Sequence, residues 1–202
     1  MNWNDVTIKN FYRLKRVLDM PEDEDKVYRI VGALNGKSLE AVLSMNIRDV
    51  EKMIKDADFV NRKPRARMAQ RKYIINGTTY LPTYDMTNIT TAQYIDFQAK
   101  APFSETDMAG FLAVLMIPEG HKYNDGYDMN KVLDDMGCLG VEDAMGLSAF
   151  FFFLYKALMK QAERSLRRML RKAQKKGEMT KEQVEAVQKA MSAIELLDGL
   201  NA

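Results

Sequence analysis

The sequence predicts a mainly α-helical protein, built of short helices with one small β-hairpin and a long C-terminal helical hairpin. Three observations carry that prediction. Apolar residues recur at helical spacing through most of the chain, several of the runs opening on a Ser, Thr or Asn. A single Asn76-Gly77 pair sits between two β-prone runs. A basic stretch from Lys156 to Lys176 carries its own apolar stripe and ends on Gly177.

In residues 1–59, Thr7 can cap a helix that places Ile8, Phe11, Leu14, Val17 and Leu18 on one face. Pro21 and the acids of MPEDED suit the start of a second helix, with Val27, Ile30, Val31 and Leu34 at helical spacing. Asn35-Gly36 ends it. Ser38 opens a short helix with Leu39, Val42 and Leu43. Asn46, with Asp49 three residues on, opens another with Ile47, Val50, Met53 and Ile54. This block reads as one compact helical unit. Residues 60–72 (VNRKPRARMAQRK) are basic and lack apolar periodicity, as expected of a linker or arm.

Residues 73–160 read as a hairpin followed by a helical core. Tyr73, Ile74 and Ile75 precede the turn and Thr79, Tyr80 and Leu81 follow it; Pro82 restricts the second strand to an edge or an end. Thr90 or Thr91 caps a helix with Tyr94, Ile95 and Phe97. Ser104, in SETD, caps the next, with Phe111, Leu112, Val114, Leu115 and Met116, which Pro118-Glu119-Gly120 breaks. After a turn at Asn124-Asp125-Gly126 comes a helix with Val132, Leu133 and Met136. A short acidic turn follows Gly140, and the long helix is expected from about Ser148. Residues 161–202 hold the rest of the basic helix and a last helix capped by Thr180 and Gln183, whose acids Glu182, Glu185 and Glu195 could face the basic arm.

The chain has 202 residues, 47% of them hydrophobic and 29% charged, so it can build a core without disulfides or metal. One Cys and one His exclude a disulfide framework and any site that needs two of either. Fifteen Met point to adaptable packing surfaces. The net charge of +2 hides strong segregation. Residues 60–72 carry 6 basic and no acidic groups; residues 73–149 carry 3 basic and 11 acidic; residues 150–202 carry 11 basic and 6 acidic. Blocks of opposite sign favour contacts between patches, within a chain or between copies.

The individual candidates for chemistry are weak. VGALNGKS, Val31–Ser38, is one residue short of a phosphate-binding loop, and what precedes it is helical rather than a strand. Asn124, Asp125, Asp128, Asp134 and Asp135 offer hard oxygen ligands without the spacing of a calcium loop. His121 is isolated, and Cys138 reads as a small packed side chain. Asn76-Gly77-Thr78 and Asn88-Ile89-Thr90 match the glycosylation sequon, but Met1–Asp5 does not open a signal peptide. The most apolar run, Met145 to Met159, is interrupted at Lys156, short of a membrane span. The expectation is a non-enzyme with no cofactor, no metal and no membrane contact.

The informative features are the Phe run and the basic helix. Four consecutive Phe, Phe150, Phe151, Phe152 and Phe153, cover a full helical turn and cannot all face one side, so some must meet a second surface. Arg164, Arg167, Arg168, Arg171 and Lys172 surround a stripe of Leu158, Met159, Ala162, Leu166, Met169, Leu170 and Ala173. These nine Phe and basic residues are the expected partner contacts. The plain reading of this helix is packing of its apolar stripe on a partner, with Lys and Arg left on a wet face; contact with an acidic protein surface comes second, and nucleic acid is the lesser alternative.

Several segments also resemble a known group. VTIKNFYRLKRVL, NGKSLEAVLSMNIRDVEKMI, KYIINGTTYLPTYDMTNITTAQYIDFQ, AVLMIPEGHKYNDGYD and SAFFFFLYKAL resemble proteins of tailed double-stranded DNA phages of Bacteroidota, the crAss-like phages and their siphovirus relatives. The resemblance spans roughly residues 5–160 and does not extend to the basic tail after Lys160. It implies a role in virion morphogenesis, among the neck, tail and tape-measure modules, and no catalytic residues. The expected protein is then a neck or tail ring subunit, a homo-oligomer contacting other phage structural proteins. It would reside in the virion and, during assembly, in the host cytoplasm. The alternative is a tail-assembly chaperone that binds the tape-measure protein and leaves no copy in the particle.

Overall fold

The computed structural model describes residues 1–100 and 107–176, together with Gln183, Ala186 and Lys189. The described chain is mainly helical, with eight α-helices and a small antiparallel sheet. It divides into two compact units, one of Met1–Thr83 with Ile89–Phe150, the other of Tyr84–Asn88 with Phe151 onward.

The first unit opens with α1 (Ile8–Leu18), α2 (Lys26–Leu34), α3 (Leu39–Leu43) and α4 (Ile47–Asp56). The expected caps form. The side chains of Thr7, Ser38 and Asn46 accept from the backbone N–H of Asn10, Ala41 and Arg48 respectively. No side-chain cap opens α2, and Pro21 lies outside it. Asn35 and Gly36, the latter at φ +66°, close it. Gly32 is required here, because a Cβ would stand 2.9 Å from the Lys37 carbonyl oxygen. One apolar cluster gathers Trp3, Val6, Leu14, Ala33, Leu34 and Val141. Trp3 packs edge-on against Phe59 and Phe11 and donates its indole N–H to the Arg62 carbonyl at 2.6 Å. A second cluster, Val31, Val42 and Val50, fastens α2 to α3 and α4.

β1 (Tyr73–Ile75) and β2 (Thr78–Pro82) form the expected hairpin, with Asn76 at φ +49° and Gly77 at φ +78°, the left-handed pair a two-residue turn demands. A third strand, unforeseen, joins the hairpin: Met116–Pro118 forms β3, antiparallel to β2, so β2 is central. Pro82 is tolerated because it stands last in β2. Met116 was expected to continue a helix. Instead α6 (Met108–Leu115) stops before it, since Pro118 forces its predecessor toward extended backbone. α6 is almost wholly buried and packs on α7 (Met129–Gly137) and on α5 (Thr91–Ala99), which Thr90 caps. The SETD cap at Ser104 lies outside the described residues; α6 begins after Asp107.

The long helix α8 runs Val141–Lys176 and so starts seven residues before the expected Ser148. Glu142 and Asp143, read as a turn, occupy its first turn and suit the positive end of the helix dipole. A short antiparallel bridge ties the chain before α1 to the start of α8: Ile8 N–H donates to Leu139 C=O at 2.9 Å, and Val141 N–H to Val6 C=O at 2.8 Å. The basic segment 60–72 is docked rather than free at Arg65 and Arg67. Arg67 N–H donates to the Glu142 carbonyl, and Arg65 N–H to the Glu142 carboxylate, both at 3.0 Å. The second arm of the expected C-terminal hairpin lies outside the described residues.

Candidate interaction surface

In the second unit α8 is exposed over much of its circumference, and one row of its exposed residues is aromatic and basic. Phe153, Ala157, Lys160, Arg164, Arg168 and Arg171 recur at intervals of three and four and are all exposed. Phe153 is 69% exposed and Met169, on another side of the helix, 66%. Leu158, Met159, Leu166 and Leu170 of the expected apolar stripe are half-buried, so Met169 departs from them. Arg167 is exposed but engaged, 2.6 Å from Glu163 one turn back. Lys172 belongs to α8; its side chain lies outside the described residues, as do those of Ala162 and Ala173.

The four Phe diverge as a helical turn requires. Phe151 is fully buried, Phe150 and Phe152 are half-buried, and Phe153 points to solvent. The Lys156 ammonium lies 4.8 Å from the centre of the Phe152 ring, a cation–π contact beside the stripe.

The carboxylates read as metal candidates have other tasks. Asp128 caps α7 by accepting from Asn130 N–H at 2.9 Å. Asp134 pairs with Lys9 at 3.0 Å. Asp135 is 4% exposed and accepts from Tyr80 Oη at 2.5 Å, Lys131 Nζ at 2.7 Å and Asn76 Nδ2 at 2.8 Å. Burial opposes its ionisation, but the bonds from Lys131, Tyr80 and Asn76 outweigh it and hold the carboxyl below its ordinary range. Burial first, and Asp135 next, push the Tyr80 hydroxyl above its usual value. This buried anchor joins the hairpin to α7; its only sequence signal is the (i, i+4) pair Lys131–Asp135. Among the described residues, no three His, Cys, Asp or Glu side chains converge as a metal site would need.

The remaining candidates also resolve. Val31–Ser38 is a helix end, a turn and a helix start, not a strand and loop. His121 Nδ1 lies 3.1 Å from the Asp125 carbonyl, in the Asn124–Gly126 turn. Cys138 follows α7 and is half-buried. It lines an open groove of about 560 Å³ along the free edge of β1, with Ile74, Lys72, Gly140 and Asp143. Burial raises the Asp143 carboxyl above its ordinary range, and its Oδ1 has no hydrogen-bond partner. No histidine lines this groove, so the thiol has no imidazole base beside it. No described helix is long and apolar enough to cross a membrane.

The feature best defined by exposed chemistry is therefore the aromatic and cationic stripe of α8. Comparison with known proteins adds nothing to that description: no family model, curated protein or solved structure matches the chain.

Proposed function

We propose that this chain acts through protein–protein contacts, as a structural or assembly protein of a tailed bacteriophage and, in its concrete form, as a subunit of a neck or tail ring. One observation carries the contact reading: Phe153 stands 69% exposed at the head of a helical stripe that continues through Lys160, Arg164, Arg168 and Arg171. An exposed aromatic, with arginines several turns further along the same helix face, combines the two side-chain types that anchor interfaces, a large rigid ring to be desolvated and guanidinium groups that take carboxylates in forked geometry. The phage assignment rests on the sequence resemblance. Copies of one chain meeting through different patches close a ring when the rotation between them closes, and the acidic block 73–149 offers a surface of opposite sign.

The native mass of the purified chain tests this. A closed oligomer is expected for the wild type, and a monomer for the combined Arg164→Gln, Arg168→Gln, Arg171→Gln variant. A wild type that stays monomeric at all concentrations overturns the ring reading. It would favour the tail-assembly chaperone, which the exposed Met20, Met68 and Met169 support as adaptable binding side chains. In purified particles a ring subunit occurs in stoichiometric amount, whereas a chaperone is missing.

A further inference from the structure

A second surface lies in the first unit, where α1, the turn after α2 and the start of α3 line an open pocket of about 320 Å³. Its floor is apolar, made by Val17, Met20 and Leu39. Its rim is cationic, with Arg13, Arg16, Arg29 and Lys37. Arg29 is occupied by the chain's own carboxylates, Asp23 and, at 3.7 Å, Asp25. Among the described residues no acidic side chain pairs with Arg13, Arg16 or Lys37. All three are exposed, and Met20 is 43% exposed. Gly36, at φ +66°, leaves room for Arg13 to lie across the turn: its Nη1 is 3.3 Å from where a Cβ would stand. Asn10 braces the same turn by donating to the Leu34 carbonyl at 3.0 Å.

We propose that this pocket docks an acidic polypeptide segment carrying an apolar anchor side chain. Three unpaired cations around one cavity favour a polyanion, and Arg29 shows the rim already holding carboxylates in this way. The floor decides the class of polyanion. Phosphates of a nucleic acid gain nothing from Val17, Met20 and Leu39, whereas a Leu, Met or Phe flanked by Asp or Glu fills the floor and pairs with the rim in one step. The volume lies at the small end of ligand pockets (roughly 300–1,000 Å³), enough for one or two side chains. This inference needs no phage assignment and uses no residue of the α8 stripe.

Fluorescence anisotropy of the full chain with a labelled peptide of Glu, Asp and Leu tests it, with a polyglutamate peptide of equal charge and a single-stranded DNA as comparators. The leucine-bearing peptide is expected to bind about tenfold more tightly than either comparator, and to weaken as salt shortens the screening length. The combined Arg13→Glu, Arg16→Glu, Lys37→Glu variant should lose more than about tenfold, and Met20→Gln several-fold. Glutamine in place of glutamate at the three rim positions carries the test if the reversed variant does not fold. Equal binding of polyglutamate or DNA reduces the site to a bare charge patch and overturns the proposal. So does undiminished binding by the rim variants, or no binding of the leucine-bearing peptide at all.

Discussion

Asp135→Ala removes the carboxylate that joins the hairpin to α7, and the structure lets the loss be apportioned. Tyr80 is fully buried and its hydroxyl donates to Asp135 at 2.5 Å. Losing a hydrogen bond to a charged acceptor, with the donor left buried, costs about 1.5–3 kcal/mol. Asn76 is exposed and regains water, so its bond is worth about 0.5–1 kcal/mol. The Lys131 side chain is 54% exposed, and an ion pair with one wet partner contributes at most about 1 kcal/mol. The expected destabilisation is about 3 kcal/mol, equivalent to a fall in midpoint of roughly 6–12 °C for a chain of this size. The assay is urea denaturation followed by circular dichroism, at pH 7 and again at lower pH. Because the folded carboxyl titrates below its unfolded value of about 3.9, its contribution is complete above about pH 5 and fades as pH falls through 4. The gap between wild type and Asp135→Ala should therefore narrow in acid. A gap under about 1 kcal/mol at pH 7, or one that persists unchanged at pH 3, refutes the claim that an ionised Asp135 anchors the hairpin.

Tyr80→Phe should reproduce most of that loss at pH 7, and a double-mutant cycle with Asp135→Ala should return a coupling of about 1–2 kcal/mol; additive effects would mean that the two groups do not interact. Gly77→Ala should cost about 1 kcal/mol in the same denaturation, because its φ of +78° is strained for any residue with a Cβ; an unchanged midpoint would remove the left-handed turn from the account. Gln93→Met, which keeps the volume but removes the donor to the Val114 carbonyl, should cost about 1–2 kcal/mol by thermal melting, and a stabilised variant would count against that bond.

What could be read from the sequence was local. Thr7, Ser38, Asn46 and Thr90 cap helices because their short side chains reach an N–H two or three residues on, and that needs no knowledge of the rest of the chain. Asn76-Gly77 fixed its own turn for the same reason. β3 was not legible: Met116, Ile117 and Pro118 are too few to show an alternation, and they become a strand only because β2 offers a free edge. The task of Asp135 was not legible either, because its partners Tyr80 and Asn76 are 55 and 59 positions away. The exposed stripe of α8 was half legible. The sequence placed Arg164, Arg168 and Arg171 on a wet face, but not Phe153 in line with them, since a run of four Phe shows only that one must be turned outward.

The crossing at Gly146 shows what such distant contacts do for the fold. In a helix interior, Gly is about 1 kcal/mol worse than Ala, so Gly146→Ala in an otherwise open helix would stabilise it. Here a Cβ at Gly146 would stand 1.7 Å from the Arg67 carbonyl oxygen and 2.8 Å from its carbonyl carbon, backbone atoms that cannot rotate away. The Arg65–Arg67 segment would have to lift, giving up its hydrogen bonds to Glu142 and the contact of Arg67 with Asp143 at 3.6 Å. Overpacking of this kind costs about 1–3 kcal/mol, more than the propensity gain, so the net sign is destabilising. Trypsin reports it directly: cleavage after Arg65 and Arg67 should accelerate in Gly146→Ala before global unfolding does. A variant as stable as wild type, with these bonds no more accessible to trypsin, would mean that residues 60–72 behave as the free arm their composition describes, and that α8 keeps its glycine for some other reason.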